Sequence, residues 1–226
     1  MPRRHRVVFP GVPHHVVQRG NHRERVFFEA GDSEAYLDLL NEHRRREGLA
    51  IFAYCLMPNH VHLVVVPSTG DSMRRTLQAV HSQYAQRVNR MKRIVGHLWQ
   101  GRYYSSALDT DHFVNAIRYV ERNPVEAGLI SRAEDYRWSS AAAHCGMRFD
   151  RLLEPAGKSG VLRGIANWSR WLAIGVPDEC RQLIQRNSRL GLPCGSPDFV
   201  DQLEKMAGRD LTYHPWGGPR KKRQGA

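Results

Sequence analysis

The alternation of apolar and polar positions divides the chain into elements. Val12–Arg19, with Val16 and Val17 and a break at Gly20-Asn21, reads as a strand. After Phe27-Phe28 and a turn at Gly31-Asp32, Asp32 or Ser33 caps a helix to about Arg46. Ala35, Tyr36, Leu39, Leu40 and His43 form its inward stripe, and Gly48 ends it. Leu49–Cys55 and His60–Val66 are apolar runs joined by the turn signal Met57-Pro58-Asn59, which predicts a hairpin. Asp71 or Ser72 opens a long helix to about Met91, with Met73, Leu77, Val80, Tyr84 and Val88 recurring at three- or four-residue steps. Leu98–Leu108 is rich in aromatic residues and predicts a strand or ribbon leading into the Asp109-Thr110 cap signal. A helix follows over about Asp111–Arg122 with Phe113, Ala116, Ile117 and Val120 buried. Pro124 forces Asn123 out of helical geometry there, and Gly128 closes the segment. Arg137–His144 predicts a short helix led by Trp138. Cys145–Gly164 reads as a linker, and Asn167–Ile174 carries Trp168 and Trp171. Pro177–Arg189 and Ser196–Met206 predict two short helices split by Gly191-Leu192-Pro193, before a basic tail at Pro219–Arg223.

Two places on this framework carry chemistry. In the strand His60–Val66, alternate residues share a face, so His60 and His62 point the same way while Val61 and Leu63 fill a core. Two imidazoles side by side suit one metal ion. Taken alone, the pair fits equally well as two polar residues on the wet side of a half-buried strand. The second place is the helix after Asp109. Asn115, Tyr119 and Asn123 recur every four residues and form a polar ridge beside its apolar stripe. A tyrosine so placed is ordinarily packing with its hydroxyl wet.

Composition then narrows the partner. The chain has 226 residues, enough for one large domain or a smaller one with an appendage, and 41% of them are hydrophobic, enough for a core. Its 34 Lys and Arg against 22 Asp and Glu give a formal charge of +12, which favours a polyanion, with nucleic acid leading. Between Asp71 and Leu108 there are seven basic residues and one acidic one. Arg74, Arg87 and Lys92 on the long helix, Arg19 on the first strand, and Arg3, Arg4 and Arg6 in an N-terminal arm are candidate phosphate contacts. Arg102 and Tyr103, beside Trp99 and Tyr104, combine a cation with flat rings as base stacking requires. No apolar run approaches the roughly 18 residues of a membrane span, and no apolar stretch follows the charged start as in a secretory signal. Cys55, Cys145, Cys180 and Cys194 include no Cys-x-x-Cys pair, so neither a disulfide framework nor a zinc ribbon is indicated and a reducing, cytoplasmic location is expected.

Four segments together resemble a known family. They are His14-His15-Val16-Val17-Gln18-Arg19-Gly20-Asn21, Met57-Pro58-Asn59-His60-Val61-His62-Leu63-Val64, Trp99-Gln100-Gly101-Arg102-Tyr103-Tyr104, and Tyr119-Val120-Glu121-Arg122-Asn123-Pro124-Val125-Glu126-Ala127-Gly128-Leu129. In this order they are similar to the HUH (His-hydrophobic-His) endonucleases, within them the single-tyrosine transposases, and most to the REP-associated tyrosine transposases. The likeness spans roughly residues 5 to 146, and residues 177 to 223 are similar to the C-terminal extension of REP-associated members. It implies an α+β, ferredoxin-like fold: an antiparallel sheet with the histidine strand central and helices on one face, plus a small helical extension. The implied organisation is a nuclease domain over residues 1–146, followed over 147–226 by a linker, short helices and a basic tail that form a candidate accessory DNA-binding extension.

The resemblance also implies a chemistry. His60 and His62 hold a divalent ion, Mg²⁺ or Mn²⁺, with Asn123 in the place of the third ligand, where many relatives carry Gln. Tyr119 attacks a phosphate of single-stranded or hairpin DNA, leaving a 5′-phosphotyrosine and a free 3′-hydroxyl. A monomer is favoured, with neither membrane nor small-molecule substrate. Two other classes fit parts of the pattern. One is a module that holds structured nucleic acid without cutting it. The other is a metal hydrolase acting on a small molecule, against which the +12 charge argues.

Overall fold

The computed structural model describes residues 7–155 and 160–214. Arg3, Arg4, Arg6 and the Pro219–Arg223 tail therefore lie outside the described residues. The elements run β1 (His14–Arg19), α1 (Ala30–Glu47), β2 (Leu49–Met57), β3 (His60–Pro67), α2 (Ser72–Lys92), β4 (Tyr104–Ala107) and α3 (Thr110–Glu126). Then come α4 (Ala141–His144), α5 (Trp168–Ala173), α6 (Asp178–Leu190) and α7 (Pro197–Ala207). The four strands form one antiparallel sheet in the order β2-β3-β1-β4, so the histidine strand is central as expected. This is the ferredoxin-like β-α-β-β-α-β arrangement.

Side-chain alternation splits the sheet into two faces. Val16, Tyr54, Leu56, Val61, Leu63 and Val65 meet Tyr36 and Leu40 of α1 and Leu77, Val80 and Tyr84 of α2. Phe52, Cys55, Met57 and Val64 meet Phe113, Ile117 and Val120 of α3 on the other side. Helices thus cover both faces, not one as the resemblance implied. β2 serves both layers through a bulge between Ile51 and Ala53, which turns Phe52 and Ala53 toward the same face. Simple alternation across Leu49–Cys55 would have assigned its second half to the wrong layer.

Local chemistry moves several boundaries. α1 starts two residues before Asp32, because Glu29 is the cap and the Asp32 carboxylate folds back to accept from Phe28 N at 2.9 Å and Glu29 N at 3.2 Å. It ends at Gly48, which takes φ of +65° and where an added Cβ would come within 2.2 Å of Ser68 Oγ. α3 starts at the Asp109 cap, which accepts from His112 N at 2.9 Å, but it does not stop before Pro124. Proline lacks an N–H and disfavours a helical predecessor, yet only the last turn follows here. Ala127 N still reaches Asn123 O at 3.0 Å, so the helix runs on to Glu126. The expected helix Arg137–His144 shrinks to Ala141–His144. Its first residues instead run along the open edge of β2, where Leu56 N donates to Trp138 O at 2.8 Å. The expected linker is also held: Leu152 is buried, Glu154 N donates to Ile51 O at 2.8 Å, and Glu154 pairs with Arg44 at 2.9 Å.

Residues beyond the linker pack on the α3 side of the sheet. Leu162, Ile184 and Cys194 are buried with Leu108, Phe113 and Ile117. Cys194 N donates to Ala107 O at 2.7 Å, extending the β4 edge. Each fully buried aliphatic side chain of this set contributes about 1.5–3 kcal/mol. Deleting residues 150–226 is therefore expected to leave an apolar face bare, giving an insoluble product or a melting temperature more than 10 °C lower by circular dichroism. A soluble fragment melting like the full chain would contradict this packing.

Candidate active site

His60 and His62 lie on the α3 face of β3, beside β1. The register sets Arg19 opposite His60 and Val17 opposite His62, so the face carries His15, Val17 and Arg19 alongside the two histidines. The His60 and His62 rings are 4.8 Å apart between centroids and nearly perpendicular. His60 donates from Nδ1 to Asn59 Oδ1 at 2.6 Å, while Asn59 Nδ2 donates to Arg23 O at 2.9 Å. That second bond holds the segment after β1, where His22 (φ +50°) and Arg23 (φ +63°) adopt left-handed backbone. His62 Nδ1 lies 2.9 Å from His15 Nε2, and His15 Nδ1 lies 2.7 Å from Ser188 Oγ. His62 Nε2 is buried and has no hydrogen-bond partner among the described residues.

Tyr119 reaches this pair from α3. Its ring sits edge-on to both His62 and His15, with centroids 5.6 Å away in each case. The helix is fixed two residues further on. Glu121 is fully buried and accepts from Ser140 Oγ and, at 2.6 Å, from His144 Nδ1. Gln185 Nε2 on α6 donates to the Tyr119 hydroxyl at 3.4 Å. The ridge expected to keep that hydroxyl wet is in fact roofed by α6, and Tyr119 is only 8% exposed. Burial raises its hydroxyl above the usual phenol range, opposed by hydrogen bonds from Gln185 and Asn123 and by the cations Arg19 and Arg189. Burial likewise lowers His60 to about 4, helped by Arg19, and His15 to about 3. His62 falls well below the usual imidazole range through burial and the neighbouring His60, His15 and Arg19. All three rings are neutral at pH 7, the form that ligates metals.

A cleft of about 300 Å³ opens over these groups. Arg19, Arg23, Arg189 and Gln100 line it, with His62 and Tyr119 at its base. His62, whose buried Nε2 has no partner among the described residues, and the adjacent ring of His60 could together offer two imidazole nitrogens to a divalent ion, with Asn123 one turn past Tyr119 as a further candidate; among the described residues no group of three or more His, Cys, Asp or Glu side chains is placed to hold one. Asn123 Nδ2 is committed to Tyr119 O at 2.7 Å, so its amide oxygen is the atom it can offer. Two imidazoles with few oxygens suit Mn²⁺ better than Mg²⁺.

Among the expected DNA contacts within the described residues, Arg19 alone lines this cleft. Arg102 is exposed on the approach to β4. Tyr103, expected to stack on bases, is 7% exposed and packs in the α1–α2 core, because β4 turns its neighbour Tyr104 toward the cleft instead. Arg74, Arg87 and Lys92 are exposed on α2, across the sheet from the histidines. Arg74 pairs with Asp71 at 3.1 Å, and Lys92 lies over the Phe28 ring at 4.6 Å. His15, Arg23, Asn59, Gln185, Ser188 and Arg189 escaped sequence reasoning. A signal existed for some of them: His15 and Arg19 keep the same strand parity, and Gln185, Ser188 and Arg189 share a helical face.

Comparison with known sequences agrees with this geometry. The profile of the family described as "Transposase IS200 like" matches residues 10–123, which hold every strand, both histidines, Tyr119 and Asn123. The chain belongs to the IS200-like transposase family. Within 110 aligned residues it is 26% identical to a Haemophilus influenzae protein assigned as a REP-associated tyrosine transposase, an alignment covering 44% of this chain and 61% of that relative. The chain thus spans less than two thirds of that relative's length. A solved structure of a REP-associated tyrosine transposase bound to a REP hairpin superposes with a TM-score of 0.56 at 17% identity, covering 69% of this chain and 92% of the other. That likeness establishes the fold. For this IS200-like transposase, it places a four-stranded α+β architecture under the His60–His62–Tyr119 cluster. No described helix is long and apolar enough to cross a membrane.

Proposed function

We propose that this IS200-like transposase cuts and rejoins single-stranded DNA beside hairpins of the REP type, with Tyr119 as nucleophile. The observation that carries this reading is the meeting of Tyr119 and His62, edge to face at 5.6 Å, beneath a cleft walled by Arg19, Arg23 and Arg189. The phenol oxygen attacks phosphorus, the bond to the 3′ oxygen breaks, and the DNA 5′ end stays joined to Tyr119. The phenol proton leaves to solvent and the departing 3′ oxygen takes one up. The bond energy is conserved in the phosphotyrosine, so rejoining needs no nucleotide.

Each neighbouring side chain has a part in that step. Arg19, Arg23 and Arg189 bind and orient the phosphate. α6 shields one side of Tyr119 and leaves it open to the cleft, Gln185 donates to its hydroxyl, and Asn123 holds its backbone carbonyl. With a raised pKa, the phenol depends on charge stabilisation at the phosphate. A divalent ion on His60 and His62, with the Asn123 oxygen as third donor, supplies Lewis-acid polarisation of the phosphate oxygens when bound.

Incubation of the full chain with a labelled library of single-stranded hairpins and Mn²⁺, followed by a denaturing gel, tests the reading. A protein–DNA adduct that disappears in EDTA and in His62→Ala is expected. Because affinity rests on phosphate contacts, hairpin binding by His62→Ala should fall less than threefold. Full cleavage in EDTA or by His62→Ala would remove the metal from the reading. Hairpin affinity with no adduct under any metal would reduce the protein to a binding module.

A further inference from the structure

Helix α6 lies outside the residues matched by the family profile, yet it places Gln185, Ser188 and Arg189 in the site. Gln185 touches the Tyr119 hydroxyl, and Ser188, 3% exposed, meets His15 at 2.7 Å. His15 is 1% exposed and its ring lies nearly coplanar with that of His62, edge to edge, with centroids 5.2 Å apart and planes 9° apart. Ser188, His15 and His62 form one buried chain of hydrogen bonds that ends at the partnerless His62 Nε2.

The proton positions along that chain can be ordered in two ways. If the Ser188 hydroxyl donates to His15 Nδ1, then His15 Nε2–H donates to His62 Nδ1. The remaining His62 proton must then sit on Nε2, as a buried N–H with no acceptor among the described residues. If the order is reversed, His62 Nδ1–H donates to His15 Nε2, and His15 Nδ1–H donates to Ser188 Oγ. His62 Nε2 then carries a lone pair, which a cation can satisfy. The second order removes the orphaned donor from buried His62, leaves the Ser188 hydroxyl hydrogen to turn into the cleft that Ser188 lines, and prepares a ligand atom.

We infer that Ser188 and His15 are positioning residues that fix the His62 ring with its proton on Nδ1 and its Nε2 lone pair turned into the cleft. The relay rests on the reading that His62 holds a divalent ion. It makes the C-terminal helix part of the metal site: a residue 126 positions beyond His62 in the numbering sets that ligand's tautomer through a residue on another strand. Asn59 does the corresponding work for His60, accepting at 2.6 Å from its Nδ1. Both rings are thereby oriented through Nδ1.

The test uses the metal-free full chain labelled with ¹⁵N-histidine. Long-range ¹H–¹⁵N correlation reads the tautomer of each ring, and the loss of the free Mn²⁺ electron-resonance signal reads affinity, both without DNA. His62 is expected as the Nδ1–H form in the parent protein. Outer partners of metal-bound histidines typically change affinity 10–100-fold when lost, so His15→Leu should weaken Mn²⁺ by about that range. Ser188→Ala is expected to mix the His15 and His62 tautomers and to weaken Mn²⁺ by about tenfold. His15→Gln can accept from His62 and donate to Ser188, and should recover most of the affinity. A parent His62 protonated on Nε2 would overturn the relay, as would parent-like affinity in folded Ser188→Ala and His15→Leu. If the parent binds no Mn²⁺, the functional reading fails, and the tautomers of His62 in the parent and in Ser188→Ala decide the relay alone.

Discussion

Tyr119→Phe is expected to form no covalent adduct with hairpin DNA while melting within about 2 °C of the parent and binding the hairpin with unchanged affinity. The substitution deletes one oxygen. That oxygen accepts a long hydrogen bond, at 3.4 Å from Gln185, while the ring keeps its edge contacts with His15 and His62. Losing such a bond costs about 0.5–1.5 kcal/mol and leaves the phosphate-binding arginines in place. Chemistry, by contrast, falls to the background of the gel, because no other hydroxyl shares the position. The rivals separate cleanly: Tyr103 is packed in the opposite core, and Tyr104 lines the cleft from β4. Tyr103→Phe and Tyr104→Phe should therefore both form the adduct. Peptide mapping of trapped DNA gives a direct reading, and DNA on Tyr104 would overturn the assignment of the nucleophile.

What was legible in the sequence was whatever depends on local period. The parity of His60 and His62, the hairpin around Pro58, the α2 stripe and the α3 stripe all follow from spacing, and the structure contains each of them. What was not legible depends on which distant segments meet. His15 has the right parity, but only the β1–β3 register places it beside His62. Ser188 and Gln185 share a helical face with nothing in that face to name its target. Tyr103 and Tyr104 are adjacent on an extended chain and so must part company. Which of them faces the cleft was settled by the layers on either side of β4, not by their chemistry. Pro124 misled for a related reason: its preference is local, while the end of α3 is fixed by the turn beyond it, where Gly128 takes φ of +67°. Charge was a coarse guide. The basic face of α2 is real, yet the cations that line the cleft with Tyr119 are Arg19, Arg23 and Arg189, drawn from three separate segments.

The same burial that keeps the site's histidines neutral predicts a steep acid dependence of stability in the metal-free protein. Burial lowers His14 to about 4, against a hydrogen bond to Val12, His15 and His81 to about 3, and His60 to about 4; His62 lies well below the usual range. A histidine whose folded pKa is depressed stabilises the fold only while the unfolded chain is also neutral. That contribution is intact above the unfolded value of about 6.5 and is lost as pH falls from there toward the folded value, since the unfolded state alone takes up the proton. Between pH 7 and 5.5 each such group costs about 1 kcal/mol. His144 acts in the opposite sense: burial pulls it down, but the Glu121 carboxylate outweighs this and leaves it raised, so its contribution grows as pH falls. It opposes the five without cancelling them. A net loss of about 3–4 kcal/mol is expected, a large part of the 5–15 kcal/mol typical of whole domains. Urea midpoints at the two pH values measure it, and a flat profile would mean that these rings are not neutral in the fold. Saturating Mn²⁺ adds a second reading on the same samples. Bound ion and proton compete for His60 and His62, so the acid limb should shift to lower pH with Mn²⁺ in the parent protein and stay where it is in His62→Ala.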